Sequence, residues 1–289
     1  MKKILNPIYQ IILYLSLFEF FLINKSSHAF FPIINLPNQQ ELKSKSIQIG
    51  KSAVQLIRFG EYEEATKLLK LAIKLNPKEV DLWINLADSQ IRSEKHYEAL
   101  SSLNEAIKLK PNDESIYFGK ASIYVDLNDP LKARFAIEKG LSLNKNNEWG
   151  YFLLGNAELM LNNYNEALIA FKESAKINTN FWQSINNEGL ILYELNNLKE
   201  AKTKFQLALE ISNNAEPMLA LAIILFSSDK NSIEALRLAK NALKSNHEYI
   251  SEDYQTKQLW GQKLQQGAKR LFKAKEMKKA VIEAKGKSQ

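Results

Sequence analysis

The chain has 289 residues, 45% of them hydrophobic and 25% charged, with ten glycines, seven prolines and no cysteine. Those proportions are ordinary for a folded soluble protein, and the scarcity of glycine and proline favours helices joined by short turns. The lack of cysteine excludes disulfides, thiolate metal sites and cysteine nucleophiles, and leaves the redox compartment open. The formal net charge of +7 is concentrated at one end. Residues 256–289 hold ten Lys/Arg against Glu276 and Glu283, a balance of +8, so everything before them sums to −1.

Residues 1–29 read as a targeting segment. Lys2 and Lys3 precede an apolar run from Ile8 to Ile23 broken by Gln10, Ser16 and Glu19, and Ser27-His28-Ala29 supplies small residues at the −3 and −1 places of a cleavage site. The run is long for a signal peptide and short for a spanning helix, which needs about 20 apolar residues, so a cleaved export signal and an uncleaved N-terminal anchor both stay open. Either places the rest of the chain outside the cytoplasm, in a periplasm or lumen. Residues 30–45, with Pro32 and Pro37, are expected to be an extended linker.

From residue 46 the chain repeats. Ala65, Ala99, Ala133, Ala167, Ala201 and Ala235 recur at one constant interval, and self-similarity at such a fixed period marks a stacked array. The clearest unit is 80–113, with Trp83, Leu86-Ala87, Ala99, Leu103, Ala106 and Pro111. This spacing resembles the tetratricopeptide-repeat (TPR) family across about 46–249. The resemblance implies an all-α fold, a right-handed superhelical solenoid of about six helix-turn-helix repeats: 46–79, 80–113, 114–147, 148–181, 182–215 and 216–249. Small residues at the eighth, twentieth and twenty-seventh places let helices approach closely, and large apolar residues fill the gaps beside them. The sixth unit departs most, with Ile223 where a small residue is usual and Ala239 where a large one is, and reads as the weakened end of an array.

Trp260, Leu264, Ala268 and Leu271 recur at helical spacing, which predicts one capping helix within 250–273 over the exposed face of the sixth repeat. Residues 274–289, rich in lysine, are expected to be a basic, disordered tail. That tail could simply be solvated, or be drawn to an anionic membrane surface. Nucleic acid is disfavoured by the leader and by the lack of aromatic residues among the lysines after Phe272.

No catalytic constellation is visible. His28, His96 and His247 are scattered, and there is no HExxH, GxSxG or glycine-rich phosphate loop. No enzyme activity, cofactor or metal is expected. The family resemblance points instead to binding, because in TPR proteins the first helix of each repeat lines a concave groove. Its groove-facing places fall here on Phe118, Trp149, Phe152, Asn156, Met160, Gln183, Asn186, Asn187 and Tyr193, aromatic groups with amides between them, of the kind a peptide hot spot uses. Leu159 and Leu190 occupy similar places but suit packing between repeats. The family's two-carboxylate clamp for chaperone C-termini is absent: of Gly50, Val54, Asn85, Ser115 and Gly119, only Asn85 fits. The reading is a non-enzymatic scaffold or adaptor holding a peptide or protein segment in its groove. The alternatives are a membrane-associated assembly factor for a membrane complex such as a photosystem, and, less favoured, a cytosolic RNA-associated TPR protein.

Overall fold

The structure is a computed structural model that describes residues 37–287. The chain divides into two compact units, 1–42 and 43–289, so only residues 37–42 of the first are described, and the expected leader lies outside the described residues.

Among the described residues there are helices and turns and no strand. The helices run α1 (Gln39–Arg58), α2 (Tyr62–Leu75), α3 (Val80–Arg92), α4 (His96–Leu109), α5 (Glu114–Asp126), α6 (Pro130–Leu143), α7 (Glu148–Met160), α8 (Tyr164–Ile177), α9 (Trp182–Glu194), α10 (Leu198–Ile211), α11 (Ala215–Ser228) and α12 (Ile233–Ser245). After a 3-10 turn at His247–Ile250 come α13 (Glu252–Lys257), α14 (Gln262–Phe272), a second 3-10 turn at Lys275–Met277 and α15 (Lys278–Lys287). From α3 to α12 each helix packs on the next.

The solenoid is keyed by pairs of complementary size. In the fourth and fifth repeats the eighth place is glycine and the ring of a phenylalanine lies against it. A Cβ on Gly155 would stand 2.5 Å from Phe171, and one on Gly189 would stand 2.6 Å from Phe205. Both rings are fully buried. Ala87 with Leu103 and Ala121 with Ile137 do the same at smaller scale in the second and third repeats. The sixth repeat keeps the rule with the sizes exchanged: Ile223 on α11 and Ala239 on α12 are both buried in one cluster. What looks in sequence like decay is a volume-conserving swap, which cores tolerate well.

The turns between the helices of a repeat are equally regular. Gly60, Glu94, Asn128, Asn162 and Asn196, one in each of the first five repeats, all have positive φ. Each follows a helix end at which the next amide reaches back five residues, as Asn163 N does to the Glu158 carbonyl at 2.8 Å and Asn197 N to that of Leu192 at 2.8 Å. Asparagine tolerates this left-handed conformation better than most residues.

Three expectations are corrected. The linker does not extend to residue 45, because α1 begins at Gln39. Asn38 and Glu41 form a reciprocal capping box there, with Glu41 N on Asn38 Oδ1 at 2.9 Å and Asn38 N on Glu41 Oε2 at 3.2 Å, which starts a helix as soon as Pro37 is passed. The cap is two helices, α13 and α14, broken where Leu259 takes a φ of 60° before Trp260-Gly261. The basic tail is ordered as α15, which is held by the buried Met277 and Ala284 and packs on α12 and the 3-10 turn at His247–Ile250.

Candidate functional site

Successive first helices touch across repeats, α5 against α7 and α9 against α11, as on the inside of a curve. Along that concave side runs an open cavity of about 1260 Å³. Its floor comes from α7 and α9, and its C-terminal wall is the segment from Tyr254 to Gly261. The last residues of four first helices, Arg92, Asp126, Met160 and Glu194, stand in a row along it.

Five of the residues picked from sequence line this cavity: Phe152, Asn156, Met160, Gln183 and Asn187. Phe152 anchors an aromatic cluster. Its ring lies 5.2 Å from Trp149, 5.2 Å from Phe181 and 5.9 Å from the buried Phe171. Trp149 is 43% exposed, and its ring also faces Phe181 at 6.2 Å. Asn187 donates Nδ2–H to Asn156 Oδ1 at 3.2 Å, so the two amides fix each other across repeats. This half-buried surface rests on helices rather than loops, which fixes its geometry.

The other three picks are not on the open surface. Phe118 is 4% exposed and its ring fills the space left by Gly140 and Gly150, so it belongs to the core of the third and fourth repeats. Asn186 is fully buried and donates to Glu216 Oε2 at 3.0 Å and to Asn187 Oδ1 at 3.3 Å. Tyr193 is buried, with its hydroxyl 3.1 Å from where a Cβ on Gly267 would be, and burial raises its pKa.

Asn186 is buried against Glu216 at the start of α11, whereas the cause of the Tyr193 burial lies far downstream in the chain. Helix α14 does not cover only the end of the array; it packs on the first helices α9 and α11, within the concave side. Leu264, Ala268 and Leu271 make its fully buried face, and Gly267 lets it settle on Ile223. Glu194 anchors its start: Leu264 N donates to Oε1 at 3.0 Å and Lys263 N to Oε2 at 3.2 Å, while Lys263 Nζ donates to the Glu194 carbonyl. A carboxylate on the first free N–H groups of a helix satisfies donors that otherwise have no partner and complements the dipole. Beside it, Trp260 Nε1 donates to Glu216 Oε1 at 2.7 Å. Burial pushes the Glu216 carboxyl up to about 7, opposed by the hydrogen bonds from Trp260 and Asn186. The same burial, with Glu216 next, raises the Tyr249 hydroxyl. Sequence periodicity showed that 260–271 is amphipathic, but not which helices meet its apolar face.

Among the described residues no group of three or more His, Asp or Glu is placed to hold a metal, and no helix is long and apolar enough to cross a membrane.

The fold and the groove define a class: an α-helical repeat solenoid with an open concave surface. Sequence profiles described as tetratricopeptide repeat match residues 56–123, 114–147 and 183–214. These stretches of the chain are tetratricopeptide repeats. Among solved structures it is similar to PilW, a widely conserved type IV pilus biogenesis factor, with a TM-score of 0.61 and 19% identity over 73% of this chain and 97% of that one. The pilF protein of Pseudomonas aeruginosa gives a TM-score of 0.61 and 18% identity, covering 71% of this chain and 92% of that one. MamA gives a TM-score of 0.52 and 20% identity, covering 60% and 93%. At these identities the likeness is one of fold. No curated protein matches the sequence.

Proposed function

We propose that this chain is a non-enzymatic adaptor that holds a segment of a partner protein in the groove between α3 and α9, outside the cytoplasm. The observation that carries the reading is the open cavity with Phe152, Asn156, Met160 and Gln183 on rigid helices, beside the exposed ring of Trp149. Aromatic anchors with amides between them can take apolar side chains while hydrogen-bonding the backbone of a bound segment. The test is a photo-crosslinker at Met160 in the native host. A discrete crosslinked partner, lost in the Trp149→Ala/Asn156→Ala double variant, supports the groove; a partner captured equally by that variant overturns it. The extracytoplasmic part of the reading rests on Lys2, Lys3, the apolar run and Ser27-His28-Ala29. A mature N-terminus at Phe30 by mass spectrometry supports cleavage, an intact Met1 in a membrane fraction supports an anchor, and an intact Met1 in the cytosol overturns both.

A second reading, an assembly factor working at a membrane surface, is favoured by the ordered basic end. Helix α15 carries Lys278, Lys279, Lys285 and Lys287 around an exposed Ile282, and basic residues near anionic headgroups contribute roughly 1 kcal/mol each. Sedimentation with anionic but not neutral vesicles, reversed by salt, is the expected result; indifference to lipid charge removes this reading.

A further inference from the structure

Helix α14 is this chain's own occupant of the concave side, packed on α9 and α11. It is basic, with Lys263, Lys269 and Arg270; its apolar face is Leu264, Ala268 and Leu271; and its first N–H groups are received by the terminal carboxylate of a first helix, Glu194. The array repeats that terminus. Asp126 ends α5 as Glu194 ends α9, two repeats earlier, and both line the same cavity.

Glu194 is engaged by α14, whereas Asp126 faces the open part of the cavity with His96 beside it. Burial raises the Asp126 carboxyl, partly offset by His96, and the His96 Nδ1 atom is buried without a hydrogen-bond partner. Glu94 adds a second carboxylate to the same stretch. The cation beside them, Arg92, is held by Asp88 at 3.1 Å. Val125, Leu159 and Met160 supply apolar surface between these groups.

We propose that the open stretch between α3 and α7 takes a basic amphipathic helix of a partner protein, with its N-terminal turn capped by Asp126 as Glu194 caps α14. The inference rests on the groove reading above and names the chemistry of its ligand: apolar residues at i, i+4 and i+7, lysine or arginine on the flanks, and free N–H groups at the start. Carboxylates at the docking point and cations on the ligand give the charge complementarity that orients such a helix.

The probe is a synthetic peptide with the sequence of residues 260–277, fluorescently labelled at its C-terminus and titrated into the full chain at low salt. Saturable binding is expected, weakened about tenfold by Asp126→Asn, the loss of one charge-assisted contact, and weakened further by salt. The same peptide with its lysines and arginine changed to glutamate is expected not to bind. Absence of saturable binding overturns the proposal, as does binding that Asp126→Asn leaves unchanged. Loss of binding in Glu194→Gln with no effect of Asp126→Asn would mean exchange with α14 itself, and also overturns it. Self-association of the full chain abolished by Asp126→Asn would assign the site to a second copy's α14 and overturn the partner. The Met160 crosslink reports on any groove ligand, so a crosslinked partner without peptide binding would defeat this inference and leave the groove reading standing.

Discussion

Trp260 donates its indole N–H to the buried Glu216 carboxylate at 2.7 Å across 44 residues of sequence, and so ties the C-terminal segment to the sixth repeat. The pairing has a pH dependence. Glu216 titrates near 7 in the fold, above its ordinary 4.5, so the folded state binds this proton more tightly than the unfolded chain does. Its stabilising contribution is complete below about pH 4.5 and is lost as pH rises through about 7. That displacement corresponds to roughly 3 kcal/mol at most. Melting temperature followed from pH 5 to 8.5 should fall, and Glu216→Gln should flatten that fall. Glu63, Asp113 and Asp129 have lowered pKa values, so they act below this window and in the opposite direction. An unchanged slope in Glu216→Gln would contradict the assignment.

Glu94 is the misfit in its column of turn residues. It holds a φ of 58° where the matching residues are Gly60, Asn128, Asn162 and Asn196. A non-glycine residue in the left-handed region is strained, so Glu94→Gly should stabilise the fold by about 1 kcal/mol. Urea denaturation would show a higher midpoint at unchanged slope. A lower midpoint would mean that the Glu94 side chain stabilises the turn.

Gly155 and Phe171 should be energetically coupled. A methyl on Gly155 would meet the Phe171 ring at 2.5 Å, so Gly155→Ala should cost about 1–3 kcal/mol through overpacking, despite alanine's better helix propensity. Adding Phe171→Leu reproduces the Ala87–Leu103 pairing of the second repeat. The double variant should then be less destabilised than the sum of the singles. Additive effects in a double-mutant cycle would refute the pairing.

Gly267 is the point at which α14 meets Ile223. Gly267→Val should lift α14 from α9 and α11 while leaving the earlier repeats folded. Limited proteolysis should then open sites within 258–273, Trp260 emission should shift to the red, and the cleavage-resistant remainder should keep the repeats. Protection equal to the native chain would show that α14 docks without this contact.

The period itself was readable from the chain, because close packing forces small residues at fixed places. The evenly spaced alanines from Ala65 to Ala235 announce the repeat, and the groove-facing places of the fourth and fifth units follow from it; Phe152, Asn156, Met160, Gln183 and Asn187 do line one cavity. The local start of α1 was also encoded, in the Asn38–Glu41 box that follows Pro37. Only the tertiary structure decided which of those places stay open. Phe118 fills the gap left by two glycines from other helices, Asn186 is buried against Glu216 of the next repeat, and Tyr193 disappears beneath a helix that returns from the far end of the chain. Periodicity reports the face a helix must bury, whereas its partner is set by shape and by contacts such as Glu194 with the start of α14, which leave no local signature. Likewise Ile223 and Ala239, read one at a time, look like lost repeat residues; their burial in one cluster fits an exchange in which the volume one gains the other gives up.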